Sequence, residues 1–280
     1  MRKFLACAAL AALAGVSLAA CGGDDSSGSA QAAAFDLTQP ASGDATLTGP
    51  SSLNAGTVAL TFKNGSQMPV DLQLVGIDGD HSEQEVIDVF NSEDGGVPEW
   101  MSGEGGIGTV APGQTGTATV LLSSGKFYAF ASSNGDEDSP PPASSTFEVT
   151  GSSKGSLPKA DATITAKEYS FDTKGLKAGV NTVKFENDGE QLHHVIAAPM
   201  ADGATIDDVK EFVASEEEPQ GEPPLDFEAA VSTAVIDKDR AMVTTLDLPA
   251  GKYVFMCFMT DRAGGAPHAM SGMVQEINIT

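Results

Sequence analysis

Cysteine is scarce in this chain, which has three cysteines in 280 residues: Cys7, Cys21 and Cys257. The first two lie in or at the end of an apolar stretch that follows Arg2 and Lys3, a pattern typical of an export signal that is later removed. With Cys7 lost and Cys21 modified, Cys257 is the only free thiol, so an intramolecular disulfide is excluded. The folded protein must then be stable through its hydrophobic core alone.

Positive charge is also scarce. Lys and Arg number 15 against 39 Asp and Glu, and the formal net charge is −24. Nucleic acids and anionic lipid headgroups are bound by clustered Lys and Arg. We therefore expect no nucleic acid partner. An acidic surface keeps a protein soluble and can steer it toward a basic partner.

The start of the chain predicts export and membrane attachment. The apolar run over residues 4–20 is an export signal rather than a membrane span. It ends in Leu18-Ala19-Ala20-Cys21-Gly22, which resembles the lipobox of bacterial lipoproteins. The resemblance implies a signal peptide over residues 1–20, a lipidated Cys21, and a protein held at the outer face of the cell membrane or in the periplasm. The alternative is an ordinary signal with a chance cysteine.

Two segments of small and polar residues divide the rest of the chain. Residues 21–34 contain nothing large enough to pack, and they indicate a flexible tether behind the lipidated cysteine. Residues 151–158, rich in Gly and Ser, indicate a linker. The expected folded domains are therefore residues 35–150 and 159–280.

The two domains repeat the same order of patterns, which predicts a duplication. Each has an early strand of alternating apolar residues, then an acidic segment with helical spacing, then a late aromatic strand. Many short strands separated by turns favour an all-β fold of two antiparallel sandwiches or barrels, each with a short helical insertion. The matched segments are Ala55–Asn64 with Ala178–Asn187, Glu83–Phe90 with Ile206–Val213, and Gly125–Ala131 with Gly251–Cys257.

Side chains alternate between the two faces of a strand. Cys257 should therefore share a face with Tyr253 and Phe255. In the strand expected over residues 191–198, the same alternation places His193 and His194 on opposite faces. His193 is the better candidate to meet the thiol, and His194 remains the alternative.

A thiolate, two imidazoles and a weak thioether form the ligand set of a mononuclear blue-copper centre. His193, Cys257, His268 and Met273 supply that set, with Met270 as an alternative thioether. Three motifs of residues 160–280 carry the resemblance to a known family: Phe185-x-Asn187 ahead of His193-x-Val195, Pro249-Ala250-Gly251-Lys252-Tyr253-x-Phe255-x-Cys257, and Pro267-His268 with Gly272-Met273.

These motifs resemble those of the cupredoxins, the small blue-copper proteins that include plastocyanin, halocyanin and azurin. The resemblance implies a Greek-key β-sandwich and one type 1 copper ion. It implies His193, Cys257 and His268 as equatorial ligands and Met273 as the axial ligand. One departure is the ten residues between Cys257 and His268, which form a longer loop than is usual in the family.

Each of these residues also has a simpler interpretation. A buried lone cysteine usually acts as a small hydrophobic residue, and a strand histidine is usually structural. The first domain has Val70 and Ala131 at the positions of His193 and Cys257, so we expect no copper site there. Its own His81 is expected in a solvated acidic loop.

The histidine count shapes the functional prediction. The chain has four histidines, whereas a trinuclear oxidase cluster needs about eight imidazoles. No P-loop, HExxH motif or nucleophile elbow is present. We therefore predict that the protein is not an enzyme but carries single electrons to a redox partner such as a basic cytochrome. The alternatives are copper delivery or storage, which methionines near Cys257 suit, and a metal-free adhesion or assembly module.

Overall fold

The computed structural model describes residues 30–40, 44–92, 95–133, 142–152, 154–215 and 222–280. Over these residues the chain forms 17 strands and two short helices. Most strands have alternating buried and exposed residues, as expected for strands with one face on a core. The all-β prediction is confirmed, and the strands form β-sandwiches.

The first half of the chain builds one sandwich. Strands β2, β1, β4 and β7 lie in one sheet, and β3, β9, β8, β5 and β6 form the other. The elements are β1 (Gln31–Thr38), β2 (Thr46–Thr48), β3 (Ser52–Asn54), β4 (Gly56–Gly65), β5 (Val70–Ile77), α1 (Glu83–Phe90), β6 (Met101–Val110), β7 (Thr115–Leu122), β8 (Gly125–Ser132) and β9 (Ala143–Thr150).

The second half repeats this arrangement. Strands β11, β10, β12 and β15 continue the sheet of β7, and β14, β13, β16 and β17 form a separate sheet. The elements are β10 (Ala162–Lys167), β11 (Ser170–Lys174), β12 (Gly179–Asn187), β13 (Ile196–Pro199), α2 (Ile206–Ala214), β14 (Val231–Ser232), β15 (Ala241–Leu248), β16 (Gly251–Met256) and β17 (Val274–Ile279).

The two halves are joined edge to edge through strands β7 and β15, which pair antiparallel. In β7 Leu122 is opposite Gly56, and in β15 Leu248 is opposite Gly179, so these two leucines occupy equivalent places in the halves. Four residues earlier, Ala118 pairs directly with Thr244. Equivalent residues face each other at this joint, so a local two-fold axis relates the halves and one eight-stranded sheet runs through both.

Both predicted helices are present. Each begins with a capping box, Ser82 with Glu85 in α1 and Thr205 with Asp208 in α2, in which the cap side chain accepts a backbone N–H and the acidic side chain accepts one in return. The same start signal in both halves is further support for duplication.

The chain packs earlier than we expected. Strand β1 begins at Gln31, inside the segment predicted to be a tether, and Ala33 is buried in the core beside Phe35. The prediction relied on side-chain size and so missed this strand. Main-chain pairing of β1 with β4 buries Ala33 although its side chain is small. The signal, Cys21 and the rest of the tether lie outside the described residues.

The first strand of each half pairs parallel with a later strand of the same half, β1 with β4 and β10 with β12. The other pairs that matter for the site are antiparallel, as expected. In the part of the chain that the structure describes, no helix has the length and apolar character needed to cross a bilayer.

Candidate metal centre

Three donor atoms converge in the second half. The Sγ of Cys257 lies 3.7 Å from Nδ1 of His193 and 3.6 Å from Nδ1 of His268, and the two Nδ1 atoms are 3.2 Å apart. All three residues are fully buried. Among the described residues, this is the one group of three or more His, Cys, Asp or Glu side chains close enough to share an ion.

The strand phase predicted for Cys257 is the one observed. Tyr253, Phe255 and Cys257 belong to the core between the sheets of the second half, whereas Val254 and Met256 pack on the other side with helix α2. Strand β16 ends at Met256, so the thiol is at the point where the strand gives way to the following loop. The alternation of a strand therefore aims the sulfur at the inside of the sandwich.

His193 lies ahead of strand β13, which is shorter than predicted and begins at Ile196. Its main chain exchanges two hydrogen bonds with Ile236, at 2.9 and 3.0 Å. The buried side chain of Asn187 donates to the carbonyls of Gln191 and Ile236 and accepts from the N–H of Gly189. Asn187 thus holds the segment that carries His193.

The same device occurs in the first half and could have been recognised in the sequence repeat. The buried side chain of Asn64 donates to the carbonyls of Met68 and Val110 and accepts from the N–H of Ser66. Both asparagines end the matched sequence segments. The repeated Phe-x-Asn motif therefore has a structural role in each half, in addition to being one of the motifs that resemble the cupredoxins.

His268 and Met273 belong to one tight turn. The N–H of Met273 donates to the carbonyl of His268 over 2.9 Å, and the N–H of Cys257 donates to the carbonyl of Met273 over 3.4 Å. The Met273 side chain is fully buried in the same core cluster as Cys257. Met270, the alternative thioether, is 42% exposed. Burial therefore favours Met273 over Met270 as the fourth ligand.

His194 points away from the three donors. Its Nε2 accepts a hydrogen bond of 2.9 Å from the N–H of Phe258, so this nitrogen carries no proton. The ring lines a cleft between the two halves. The cluster includes His193 and not His194, which is the assignment that strand alternation favoured.

The electrostatics of the cluster suit a metal ion. Burial, together with the smaller effect of the adjacent His268, lowers the pKa of His193 to about 4. Burial also lowers the pKa of His268 and raises the pKa of the Cys257 thiol to about 12. At pH 7 both imidazoles therefore have a free lone pair, whereas the thiol must lose its proton to become a ligand.

The donor spacing fits one ion. Metal bonds of roughly 2.0 Å to nitrogen and 2.3 Å to sulfur, at angles of roughly 100 to 120°, place the donors about 3.1 to 3.7 Å apart. The observed separations of 3.2, 3.6 and 3.7 Å lie in that range. A trigonal set of two imidazoles and one thiolate is the set that copper takes in blue-copper sites. The residues present therefore fit copper.

Carboxylates lie beyond both imidazoles. Nε2 of His268 is 3.2 Å from Oδ1 of Asp261, and the hydroxyl of Tyr169 donates to the same carboxylate over 3.1 Å. Nε2 of His193 is 3.7 Å from Oε1 of Glu168, which accepts the N–H of Gln191. The contact with Asp261 would orient the His268 ring and raise its basicity, whereas 3.7 Å is too long for a hydrogen bond between His193 and Glu168. Sequence reasoning missed all three side chains.

The first half has no counterpart of this cluster among its described residues. Val70 and Ala131, at the positions of His193 and Cys257, line a small cavity of about 20 Å³ with other mostly apolar side chains. His81 is stacked on Trp100 at 3.9 Å and contacts Glu85. Among the described residues, the grouped donors therefore all lie in the second half.

Comparison with known proteins gives distant likenesses of fold. No family model matches the chain, and no curated protein matches it. Auracyanin B is 20% identical over 42% of this chain and 86% of its own, with a TM-score of 0.29. A copper nitrite reductase from Nitrosomonas europaea is 15% identical over 89% of this chain and 93% of its own, with a TM-score of 0.25. A multicopper oxidase is 13% identical over 89% and 88%, with a TM-score of 0.25.

The prediction that the chain is not an enzyme is wrong, because these similar structures include enzymes of the same fold. The likeness is too distant to assign an activity. The histidine count addresses only enzymes that need additional metal ions. It does not address a protein that binds a single ion. A cleft of about 590 Å³ lies between the halves, and its wall includes His194 and Phe258, the neighbours in sequence of His193 and Cys257.

Proposed function

We propose that the protein binds one copper ion through His193, Cys257 and His268, with Met273 as a weak fourth ligand, and that it transfers single electrons. The observation that carries the proposal is the convergence of two Nδ1 atoms and one Sγ within 3.7 Å of one another. Bound copper supplies the redox chemistry by alternating between Cu(II) and Cu(I).

Rapid electron transfer needs a site that changes little when the ion changes charge, and the surroundings support this. All three donors are fully buried, where close packing limits their movement. Main-chain hydrogen bonds also link Cys257, His268 and Met273. The ligands are therefore held in place before copper binds.

The segment around His268 is a suitable face for a redox partner. Residues 263–272 contain no Asp, Glu, Lys or Arg, and Met270 is exposed among them. Phe258, 37% exposed, follows Cys257. We expect a partner to approach His268 here while the acidic remainder of the protein steers a basic protein such as a cytochrome. A transfer rate that does not fall with added salt would contradict the steering.

Location is the part of the proposal that rests on sequence alone. The basic start, the apolar run and the Leu-Ala-Ala-Cys ending support export and lipidation of Cys21. A lipid anchor would keep the protein at the outer face of the cell membrane or in the periplasm. Mass spectrometry of the membrane fraction from the native host tests for a diacylated Cys21.

The test of copper binding uses residues 22–280, which lack the signal and the lipidated cysteine. Cu(II) is added to the metal-free protein, and visible absorption and paramagnetic spectra are recorded. We expect one copper per chain, an intense blue colour from the thiolate–copper bond, and reversible reduction. Cys257→Ser should abolish the colour.

The four histidines provide matched controls. His193→Asn and His268→Asn should lose the blue centre, whereas His81→Asn and His194→Asn should keep it. Loss of the colour in His194→Asn with retention in His193→Asn would reverse the ligand assignment. A wild-type protein that takes up no copper would contradict the proposal and favour a metal-free adhesion or assembly module.

Copper delivery or storage has weaker support from the placement of the methionines. Thioethers favour Cu(I), but Met256 is buried on the opposite face of its strand from Cys257, against helix α2. Met270 is on the surface. Met256 and Met270 therefore do not join Met273 beside Cys257. Colourless binding of Cu(I) without a coloured Cu(II) form would favour delivery or storage.

A further inference from the structure

The long loop between Cys257 and His268 leaves its own sandwich and contacts the first half. Arg262, near the middle of the loop, donates through its guanidinium to the carbonyls of Pro98 and Met101, over 3.0 and 3.2 Å, and to that of Val97 over 3.3 Å. It also pairs with Asp237, a buried carboxylate of the second half. We call these contacts the Arg262 clamp.

Further hydrogen bonds hold the same loop. The N–H of Val97 donates to the carbonyl of Arg262 over 3.0 Å. The hydroxyl of Thr260 donates to the carbonyl of Gly95 over 2.5 Å, and the N–H of Arg262 donates to the side chain of Gln191 over 2.8 Å. The loop is thus bound to the first half on both sides of Asp261.

Asp261 connects this loop to the candidate ligand. Its carboxylate is 3.2 Å from Nε2 of His268, on the side of the ring away from Cys257. Tyr169 donates to the carboxylate and also packs edge-on against the His268 ring, with centroids 5.2 Å apart. Nδ1 faces the other donors, so Nε2 carries the proton that Asp261 accepts.

We propose that the first half of the chain positions the metal centre, because the Arg262 clamp holds Asp261 against His268 and so sets the balance between Cu(II) and Cu(I). This inference rests on the proposed function. It gives the first half a role that its own residues, with Val70 and Ala131 at the positions of His193 and Cys257, do not indicate.

The direction of the effect follows from charge. A carboxylate that accepts the Nε2 proton makes the imidazole a stronger donor and adds negative charge near the ion. Both effects favour Cu(II), which has the larger charge, over Cu(I). Loss of Asp261 from this place should therefore raise the reduction potential.

The experiment compares the reduction potentials of wild type, Asp261→Asn, Arg262→Gln and the double variant, in residues 22–280 loaded with copper. Removal of a partner beyond the ligands changes metal affinity by about 10- to 100-fold. We expect Asp261→Asn to lower the Cu(II) to Cu(I) affinity ratio about tenfold, which corresponds to about 59 mV for one electron. Arg262→Gln should shift the potential in the same direction.

The double variant tests whether Arg262 acts through Asp261. If it does, the double variant has the potential of Asp261→Asn alone, because Arg262 has nothing left to position. Additive shifts, or no shift in Arg262→Gln, would overturn the inference while the blue centre itself remained. Arg262→Lys, which keeps the charge beside Asp237 but not the forked contacts, replaces Arg262→Gln if that variant does not fold.

Arg240→Gln is the matched control. Arg240 pairs across the same interface with the buried Glu104, over 2.8 Å, but it does not belong to the ligand loop. Its loss should destabilise the protein and leave the potential unchanged. A shift in this control equal to that of Arg262→Gln would mean that any weakening of the interface disturbs the site.

A second measurement needs no copper. Cys257 is fully buried, so we expect iodoacetamide to alkylate the protein slowly when no copper has been added. Arg262→Gln should speed alkylation several-fold by releasing the loop beside the thiol, and Arg240→Gln should not. Equal rates would refute the clamp. If wild type takes up no copper, the proposed function fails, and this measurement still decides whether Arg262 holds the loop.

Discussion

The buried histidines should make the metal-free protein unstable in mild acid. Burial lowers the pKa of His193 from 6.5 to about 4, and it lowers the pKa of His194 to about 4 as well. The unfolded chain therefore binds protons at these residues below about pH 6.5, while the folded chain does not until about pH 4. Stability should fall as the pH decreases through this interval.

The magnitude follows from the size of the shift. The pKa of His193 moves by about 2.5 units, from 6.5 to about 4, and each unit corresponds to about 1.4 kcal/mol. Acidification to pH 4 should therefore lower the free energy of unfolding by about 3 kcal/mol through this histidine. For His193 and His194 together, the expected loss in the free energy of unfolding is less than twice this value, because the protonation of each histidine affects that of the other.

The assay is urea unfolding of the copper-free protein at pH 7, 6, 5 and 4. His193→Gln removes one titrating group, so its free energy of unfolding should fall less than that of wild type over this interval. His81→Gln removes a histidine outside the cluster and serves as the control. Parallel curves for wild type and His193→Gln between pH 6.5 and 4 would refute the reasoning.

Three further predictions concern the metal and the packing. Binding of Cu(II) at pH 7 should release about one proton per ion, because the thiol of Cys257 is protonated and the imidazoles are neutral. A pH indicator in weak buffer measures the protons released, and the absence of proton release would contradict thiolate binding. Phe255→Ala removes a fully buried ring that contacts Phe171 and should cost about 3 to 5 kcal/mol in urea unfolding, whereas the half-exposed Phe258→Ala should cost much less. Gly108→Ala should lower the unfolding midpoint, since its Cβ would lie 1.9 Å from the carbonyl oxygen of Ser232 in the other half; an unchanged midpoint would mean that the halves do not approach so closely.

Local patterns predicted the parts of the site that strand geometry controls. Alternation placed Cys257 on the core side of its strand and separated His193 from His194, and the structure has both arrangements. The helical insertions were also predictable, because each combines helical spacing with a capping box. The last residues of the predicted tether, from Gln31, belong to strand β1 instead. Small residues give little indication of whether a neighbouring strand is available for pairing.

The partners of the ligands were not predictable in this way. Tyr169 reaches Asp261 from 92 residues away in the chain, and no periodicity relates the two. Arg262 is in a loop of mostly small residues, where nothing indicated that it would reach Met101 in the other half. The cleft between the two halves was not predictable either, because it is a property of their packing.

The sequence alone determined which donors are present, their order, and the side of its strand toward which Cys257 points. These properties depend on the backbone of a few adjacent residues, whose geometry is nearly the same in every protein. Only the tertiary structure decided that two Nδ1 atoms and a sulfur meet, that Asp261 lies behind His268, and that the first half holds the ligand loop. Such distances join segments far apart in the chain, so they depend on how every intervening strand pairs and packs.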